Sequence, residues 1–237
     1  MNIRAMGILT VLVIVTTLIW LIILIPAQAS APRVDVLHEK IAAMEPLGFV
    51  HYVTYINAAL ITIFDVAMFA GLITFCRKEE PMWTTVAMAF LPIYGLGNLI
   101  AYLSQIFVVP LLLRHYEAPG TRAFAEVLLG LTIQDWPGSA IQGLNGLSYA
   151  MLGIPSIIVG WIFYRKAKGL RISGLLLIAS GVLSFLALIG LLAANYELAA
   201  ATLASGAVFL AALVPIARFF LKSSHEGRST DGSATSA

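Results

Sequence analysis

The chain has 237 residues, of which 60% are hydrophobic and 11% are charged, and its mean hydropathy is +0.93. Soluble domains carry about 25% charged residues, so this composition excludes an ordinary soluble protein and indicates an integral membrane protein. The net charge of +2 comes from basic residues at the ends of apolar stretches. It forms no basic stripe with aromatic stacking residues, so we expect no nucleic-acid partner.

Six apolar stretches are each long enough to cross a bilayer as a helix, which takes about 20 residues. They cover residues 5–25, 49–76, 82–113, 141–163, 172–193 and 198–221. Lipid cannot satisfy exposed backbone groups, and runs this long do not alternate as barrel strands do. The sequence therefore predicts an all-α, polytopic membrane bundle of six helices in residues 1–222. The polar residues 223–237 predict a disordered cytoplasmic tail.

The first stretch resembles a secretory signal peptide in part. Arg4 precedes the apolar run, and Ala27-Gln28-Ala29 follows it as a candidate cleavage site. However, the run covers about 21 residues, whereas a secretory apolar region covers about 7–15. We expect a retained first helix, with cleavage as the alternative.

Basic residues near the helix ends predict the orientation, because cytoplasmic loops are enriched in Lys and Arg. With the N-terminus inside, only four of the 14 Lys and Arg residues lie outside, namely Arg33, Lys40, Arg114 and Arg122. The others lie on the cytoplasmic side. We therefore expect both termini in the cytoplasm and a multi-pass protein of the cell membrane, with membrane lipids as its surroundings.

The two longer external connections carry apolar residues at helical spacing. In the first, these residues are Val34, Leu37, Ile41 and Met44, and in the second they are Phe124, Val127, Leu128 and Leu131, with Thr121 as a candidate N-cap. Such spacing predicts two external amphipathic helices at the membrane interface. We expect them to roof the bundle, and the alternative is a lid over an outward-facing pocket.

Asp65 is the only carboxylate deep inside any of the six stretches. An ionisable group near the bilayer centre costs at least about 2.5–3.5 kcal/mol, so it usually faces a bundle interior, a partner or a water-filled path. No Lys or Arg lies at a comparable depth. Asp65 is therefore our main candidate for binding a ligand or a proton, and the alternative is a structural hydrogen bond.

Polar residues form one stripe on each of the second, third and fourth helices, at about 100° per residue. The candidates for an outward-facing polar cavity around Asp65 are His51, Thr62, Tyr94, Asn98, Tyr102, Gln105, Gln142, Asn145 and Tyr149. By depth and face, Tyr94, Asn98 and Tyr149 are the best partners for Asp65. The alternative is that the stripes only hydrogen-bond across helices, each bond contributing roughly 0.6 kcal/mol.

Glycines in the fourth and fifth helices predict close packing between them. Gly146, Gly153 and Gly160 lie at heptad spacing in the fourth helix, and Gly174 and Gly181 lie in the fifth. Because small residues let helix backbones approach in lipid, we expect an antiparallel hairpin around the basic turn 164–171.

Motifs of several known chemistries are missing from the sequence. It contains no HExxH, GxSxG, Walker A or GxGxxG motif, and its four histidines have no metal or haem spacing. We expect no metal and no cofactor, and we identify no catalytic residue.

Residues 147–192 read LSYAMLGIPSIIVGWIFYRKAKGLRISGLLLIASGVLSFLALIGLL, with a glycine-bearing helix, a basic turn and Ser173-Gly174 opening the next helix. This segment, under a quarter of the chain, resembles the second half of small multi-span prokaryotic membrane proteins classified as domains of unknown function. The resemblance implies a bacterial or archaeal cytoplasmic membrane, and no activity.

Three hypotheses for the function are open. The first is a protein that binds or transports a small polar or amphiphilic solute, or a proton, at Asp65. The second is a structural or sensory accessory protein without its own ligand, for which a protein partner or a homo-oligomer is possible. The third is an intramembrane enzyme, which the sequence disfavours because His51, the titratable partner on the same helix, lies about 21 Å from Asp65 along it.

Overall fold

The computed structural model describes residues 3–30, 34–44 and 47–231, and the side chains of these residues except 24–30, 196 and 223–231. The described backbone consists of helices and turns, with no strand in these ranges. Arg33 and residues 232–237 of the predicted tail lie outside the described residues.

Ten α-helices follow one another along the described chain. They are α1 (Ile3–Ser30), α2 (Leu37–Met44), α3 (Phe49–Cys76), α4 (Pro81–Leu103), α5 (Val109–Glu117), α6 (Arg122–Thr132), α7 (Ala140–Lys166), α8 (Arg171–Leu192), α9 (Tyr196–Ala199) and α10 (Ala201–Asp231). A π-helical segment, Ser104–Val108, joins α4 to α5, and a 3-10 turn, Lys168–Leu170, precedes α8.

Six of the described segments are long and apolar enough to cross a membrane. They are Ile3–Ile23, Phe49–Cys76, Pro81–Glu117, Ala140–Lys166, Lys168–Leu192 and Glu197–Lys222. The prediction of an all-helical chain with six such helices is confirmed. α10 continues to Asp231, into the polar segment that the sequence predicts to be disordered, and the disorder stays a prediction.

The helices of these six segments, which we call the spanning helices for their length and composition, pack in chain order into a closed ring, which we call the helix ring. α3 contacts α4, α4 contacts α7, α7 contacts α8, and α8 contacts α10. The ring closes because α1 lies between α10 and α3. Gly7 of α1 abuts Leu221 of α10, and the Asn57 amide of α3 donates to the Thr16 carbonyl of α1 at 2.8 Å. Each helix thus has two main neighbours, with an additional smaller contact between α3 and α7. The remaining interior of the ring holds side chains and open space.

The segment between Pro81 and Glu117 is the longest span, and its hydrogen bonding changes just before Pro110. Proline has no N–H, so it cannot close the α-helical bond to the carbonyl four residues back. The Val109 N–H bonds to the Ser104 carbonyl, five residues back, which makes this turn π-helical. Pro92 lies inside α4, which remains α-helical around it. Of these two prolines, only Pro110 adjoins irregular backbone.

α7 and α8 approach most closely at two glycine pairs. A Cβ added to Gly153 would lie 2.9 Å from the Gly181 carbonyl oxygen, and one added to Gly160 would lie 2.6 Å from that of Gly174. Real side chains do not fit at such distances, so these positions bring backbone against backbone. Gly146 instead faces the Leu191 side chain.

The short helices α2, α5 and α6 pack together at one end of the ring, and we call this group the end cluster. Its buried core contains Ile41, Val109, Leu112, Leu113, Tyr116, Ala125, Leu129 and Ile133. An ion pair between Lys40 and Asp135 joins α2 to the turn after α6. Thr121 precedes α6, but its hydroxyl donates to the His115 carbonyl and does not cap the helix.

Candidate functional site

A cavity of about 360 Å³ lies inside the helix ring. All six helices of the ring contribute residues to its lining, from Thr17 on α1 to Phe209 on α10. α4 contributes through its C-terminal part. The residues from α1 and α10 come from the C-terminal half of α1 and the N-terminal part of α10. The cavity therefore lies toward the end of the ring that the charge distribution predicts to face outward.

Asp65 lines this cavity from the middle of α3 and is only 3% exposed. The Tyr94 hydroxyl on α4 donates a hydrogen bond of 2.8 Å to its Oδ2 atom. The other carboxyl oxygen, Oδ1, is buried and has no hydrogen-bond partner among the described residues. Asp65 thus has one satisfied oxygen and one acceptor left open.

A chain of polar side chains joins α4 to α7 beside Asp65. The Tyr102 and Tyr149 hydroxyls, both from cavity-lining residues, lie 2.7 Å apart. The Asn145 amide donates to the Asn98 Oδ1 atom at 3.0 Å and to the Tyr102 hydroxyl at 3.2 Å. These four residues form an interhelical hydrogen-bond network at one side of the cavity.

The opposite side of the cavity carries hydroxyl groups that the sequence analysis does not select. Ser180 and Ser184 on α8 and Ser205 on α10 line the cavity and bond to one another, with hydroxyl distances of 2.9–3.1 Å. The Ser205 hydroxyl also donates to the Ser180 carbonyl at 2.9 Å. The spacing of Ser180 and Ser184, four residues apart in an apolar stretch, is the sequence signal for this serine cluster.

His51 and Gln105 lie away from the cavity, where α3 meets the π-helical segment. The His51 Nε2 atom is 3.0 Å from the Gln105 carbonyl oxygen. The Gln105 side-chain amide donates to the Thr132 carbonyl at 2.7 Å and accepts from the Gln134 N–H at 3.2 Å. Gln105 therefore fastens the helix ring to the end cluster.

The side chains of Thr62 and Gln142 form hydrogen bonds with residues close to them in the sequence. The Thr62 hydroxyl donates to the Ala58 carbonyl of its own helix, and the Gln142 side chain accepts from the Gly138 N–H before α7. Among the ten polar candidates, the structure thus brings Asp65, Tyr102 and Tyr149 to the cavity. It joins Tyr94, Asn98 and Asn145 to them by hydrogen bonds, and it leaves His51, Thr62, Gln105 and Gln142 outside the lining.

The rest of the lining is mostly apolar and aromatic. It includes Trp20, Leu21, Ile61, Leu152, Leu203 and Phe209, and it contains no Lys, Arg or His within the ranges described. No group of three His, Cys, Asp or Glu residues that could hold a metal ion occurs in those ranges either. The arrangement suits a small ligand with an apolar body and a polar group that reaches Asp65.

The cavity reaches the perimeter of the helix ring between α1 and α10. Leu203 lines the cavity and is 61% exposed, and a Cβ added to the lining residue Gly206 would meet nothing within 4 Å. Leu221, which lies on the same face of α10 as Leu203 five turns later, packs on Gly7 of α1. The two helices therefore touch near Gly7, and the side of α10 facing α1 is open near Leu203.

Comparison with known proteins adds no relative: no protein-family model, curated protein or solved structure matches the chain. The resemblance of residues 147–192 to domains of unknown function therefore rests on the sequence features given for it.

Proposed function

We propose that this protein binds, and carries across the membrane, a small polar or amphiphilic solute or a proton in the cavity at Asp65. The observation that carries the proposal is the open Oδ1 acceptor of a carboxyl that is 3% exposed and lines a cavity of about 360 Å³. A buried polar atom without a partner is costly. A ligand, a proton or water in the cavity would supply the missing partner of Oδ1.

The ring architecture supports the same proposal. A cavity lined by six helices is a place where an ionisable group of a membrane protein can face the bundle interior and a ligand or water. We further propose that the opening between α1 and α10 lies in the outer half of the membrane, both termini being cytoplasmic, and that the protein lies in a prokaryotic cell membrane. The basic residues at the opposite end support the orientation.

A specific observation favours the accessory role as the second candidate. The Asn98–Asn145 and Tyr102–Tyr149 bonds join two helices directly, as expected for polar groups that only hold a bundle together. In that role the polar stripe would be complete without a ligand. The open Oδ1 atom of Asp65 favours the binding role over this one.

Thiol accessibility tests whether the cavity admits solutes from outside. We would place Ser156→Cys and Ser148→Cys separately in a Cys76→Ser background, because both serines lie on α7 and are almost fully buried. Only Ser156 lines the cavity. Right-side-out vesicles would be treated with a small membrane-impermeant thiol reagent, and labelling would be read by mass spectrometry.

We expect Ser156→Cys to be labelled and Ser148→Cys to stay unlabelled. Equal protection of both thiols, in variants that unfold at the temperature of the background protein, would contradict an accessible cavity and favour the accessory role. Labelling of Ser156→Cys from the cytoplasmic side alone would reverse the proposed direction of opening.

A further inference from the structure

The charge of Asp65 has no counterpart in the cavity wall. A carboxylate in a medium of low dielectric constant is stable only when it is paired, coordinates a metal or takes up a proton. The described lining contains no Lys, Arg or His, and the one donor to Asp65 is the neutral hydroxyl of Tyr94. The positive charge that would balance Asp65 is thus absent from the surrounding side chains.

Within the described lining of the cavity, the open acceptor is confined to Asp65. The serine cluster on the opposite wall satisfies its hydroxyls internally, through the Ser180, Ser184 and Ser205 bonds. The Tyr102 and Tyr149 hydroxyls bond to each other. Among the lining residues described, Asp65 alone has a buried side-chain oxygen without a partner, so a ligand has one polar contact to make.

The remaining wall favours an apolar body attached to a cation. Trp20, Tyr102, Tyr149 and Phe209 present aromatic rings in the lining, and aromatic faces attract ammonium groups. Aliphatic side chains such as Ile61 and Leu152 fill the space between them. A ligand of this kind would bury its hydrocarbon part against the wall while its charge meets the carboxylate.

Access to the cavity also suits a membrane-soluble ligand. The opening between α1 and α10 lies on the perimeter of the helix ring, where Leu203 is 61% exposed, and this perimeter is the surface that lipid would contact. An amphiphile dissolved in the bilayer reaches the cavity there without crossing the end cluster.

We propose that the cavity takes a lipophilic organic monocation, a small amine in its ammonium form, whose N–H donates to the Oδ1 atom of Asp65 while its apolar body packs between Trp20, Ile61, Leu152 and Phe209. This inference rests on the proposed function and names the class of its ligand. Hard metal cations do not suit the site, because they require about six oxygen ligands and the lining around Asp65 is mostly apolar and aromatic. Organic anions are repelled by the carboxylate.

Matched probes test the ligand class. 1-Adamantanamine and 1-adamantanol share one apolar cage and differ in the charged group. Each would be titrated into the full-length protein in lipid nanodiscs, with empty nanodiscs as a blank, and binding would be followed by calorimetry and by tryptophan fluorescence, since Trp20 lines the cavity. The variants are Asp65→Asn, Gly206→Leu to fill the opening, and Thr62→Val as a buried polar control outside the lining.

We expect the amine to bind the wild-type protein at least about tenfold more tightly than the alcohol, because only the ammonium group brings a positive charge to pair with the buried carboxylate. Asp65→Asn should remove this preference, because an amide carries no negative charge to pair with the ammonium. Gly206→Leu should weaken both probes, and Thr62→Val should weaken neither.

Each opposite result has a distinct meaning. Equal affinity of amine and alcohol for the wild-type protein, with both weakened by Gly206→Leu, would overturn the amine assignment and leave the proposed solute cavity standing. Binding of neither probe would overturn the amine assignment, and with protection of Ser156→Cys it would overturn the proposed function as well. Because the comparison of probes uses the wild-type protein, it holds even where Asp65→Asn does not fold.

Discussion

One hydroxyl holds the carboxyl of Asp65 in place. Tyr94 is 1% exposed, and its hydroxyl is the donor that reaches the Oδ2 atom. If this bond were lost, neither carboxyl oxygen would have a partner among the side chains described. The Tyr94–Asp65 bond therefore fixes which way the open Oδ1 atom points, and it belongs to the site although Tyr94 does not line the cavity.

We expect Tyr94→Phe to destabilise the protein by about 0.6–1.7 kcal/mol, between the average and the maximum measured for interhelical hydrogen bonds in a membrane protein. Thermal unfolding can be followed with a thiol-reactive dye, because Cys76 is the one cysteine and is buried. Tyr164→Phe is the matched control, since Tyr164 is 45% exposed. Equal unfolding temperatures for the two variants would show that the hydroxyl of Tyr94 contributes nothing at Asp65.

At the residue scale, the sequence identifies Asp65 because a carboxylate inside an apolar stretch is costly in lipid and therefore faces the bundle interior, a partner or water. Depth and helical face also single out Tyr94, the residue that the structure joins to it. The serine cluster is not predictable in the same way. A serine in a spanning helix commonly bonds to a carbonyl of its own helix, as Ser156 does, so its type does not reveal that Ser205 meets Ser180 and Ser184 across two helices.

At the scale of elements, backbone contact between α7 and α8 makes these helices the tightest pair of the ring. The Gly153–Gly181 and Gly160–Gly174 contacts leave no space for a Cβ. Heptad glycines in adjacent stretches are enough to predict such a pair. The π-helical turn before Pro110 is harder to predict. A proline in a long helix can bend the helix, interrupt it or leave it regular, and the contacts with neighbouring elements determine the outcome.

We expect Gly153→Leu to lower the unfolding temperature strongly, because its side chain would meet the Gly181 backbone and the Phe185 ring. Gly143→Leu is the matched control on the same helix, since a Cβ there meets nothing within 4 Å. The same dye assay at Cys76 compares them. Unfolding at the wild-type temperature for Gly153→Leu would mean that α7 and α8 do not touch along this line.

At the scale of the whole molecule, chain order around the ring places the first and last spanning helices side by side. That closure is not readable from the sequence, because helix length and hydropathy define each span but not its neighbours. The cavity depends on it, since α1 and α10 supply its open side. For the same reason the polar stripes alone cannot predict which candidates line the cavity and which, like Gln105, hold the end cluster.

The topology prediction can be tested without a ligand. In a Cys76-free background, cysteines at Ala167 and Ser223 should be protected from an impermeant thiol reagent in intact cells, and one at Gly120 should react. The reason is the excess of Lys and Arg at the end of the ring that carries the turn before α8. Labelling of Ser223→Cys from outside would reverse the orientation.

An experimental density map of the protein in lipid nanodiscs, loaded with 1-adamantanamine, tests the central claim most directly. We expect density for the amine in the cavity inside the helix ring, within hydrogen-bond distance of the Oδ1 atom of Asp65, with the Tyr94 hydroxyl still bonded to Oδ2. A map in which Asp65 points toward lipid would contradict the account. So would a map in which another side chain bonds to the Oδ1 atom and the cavity is closed.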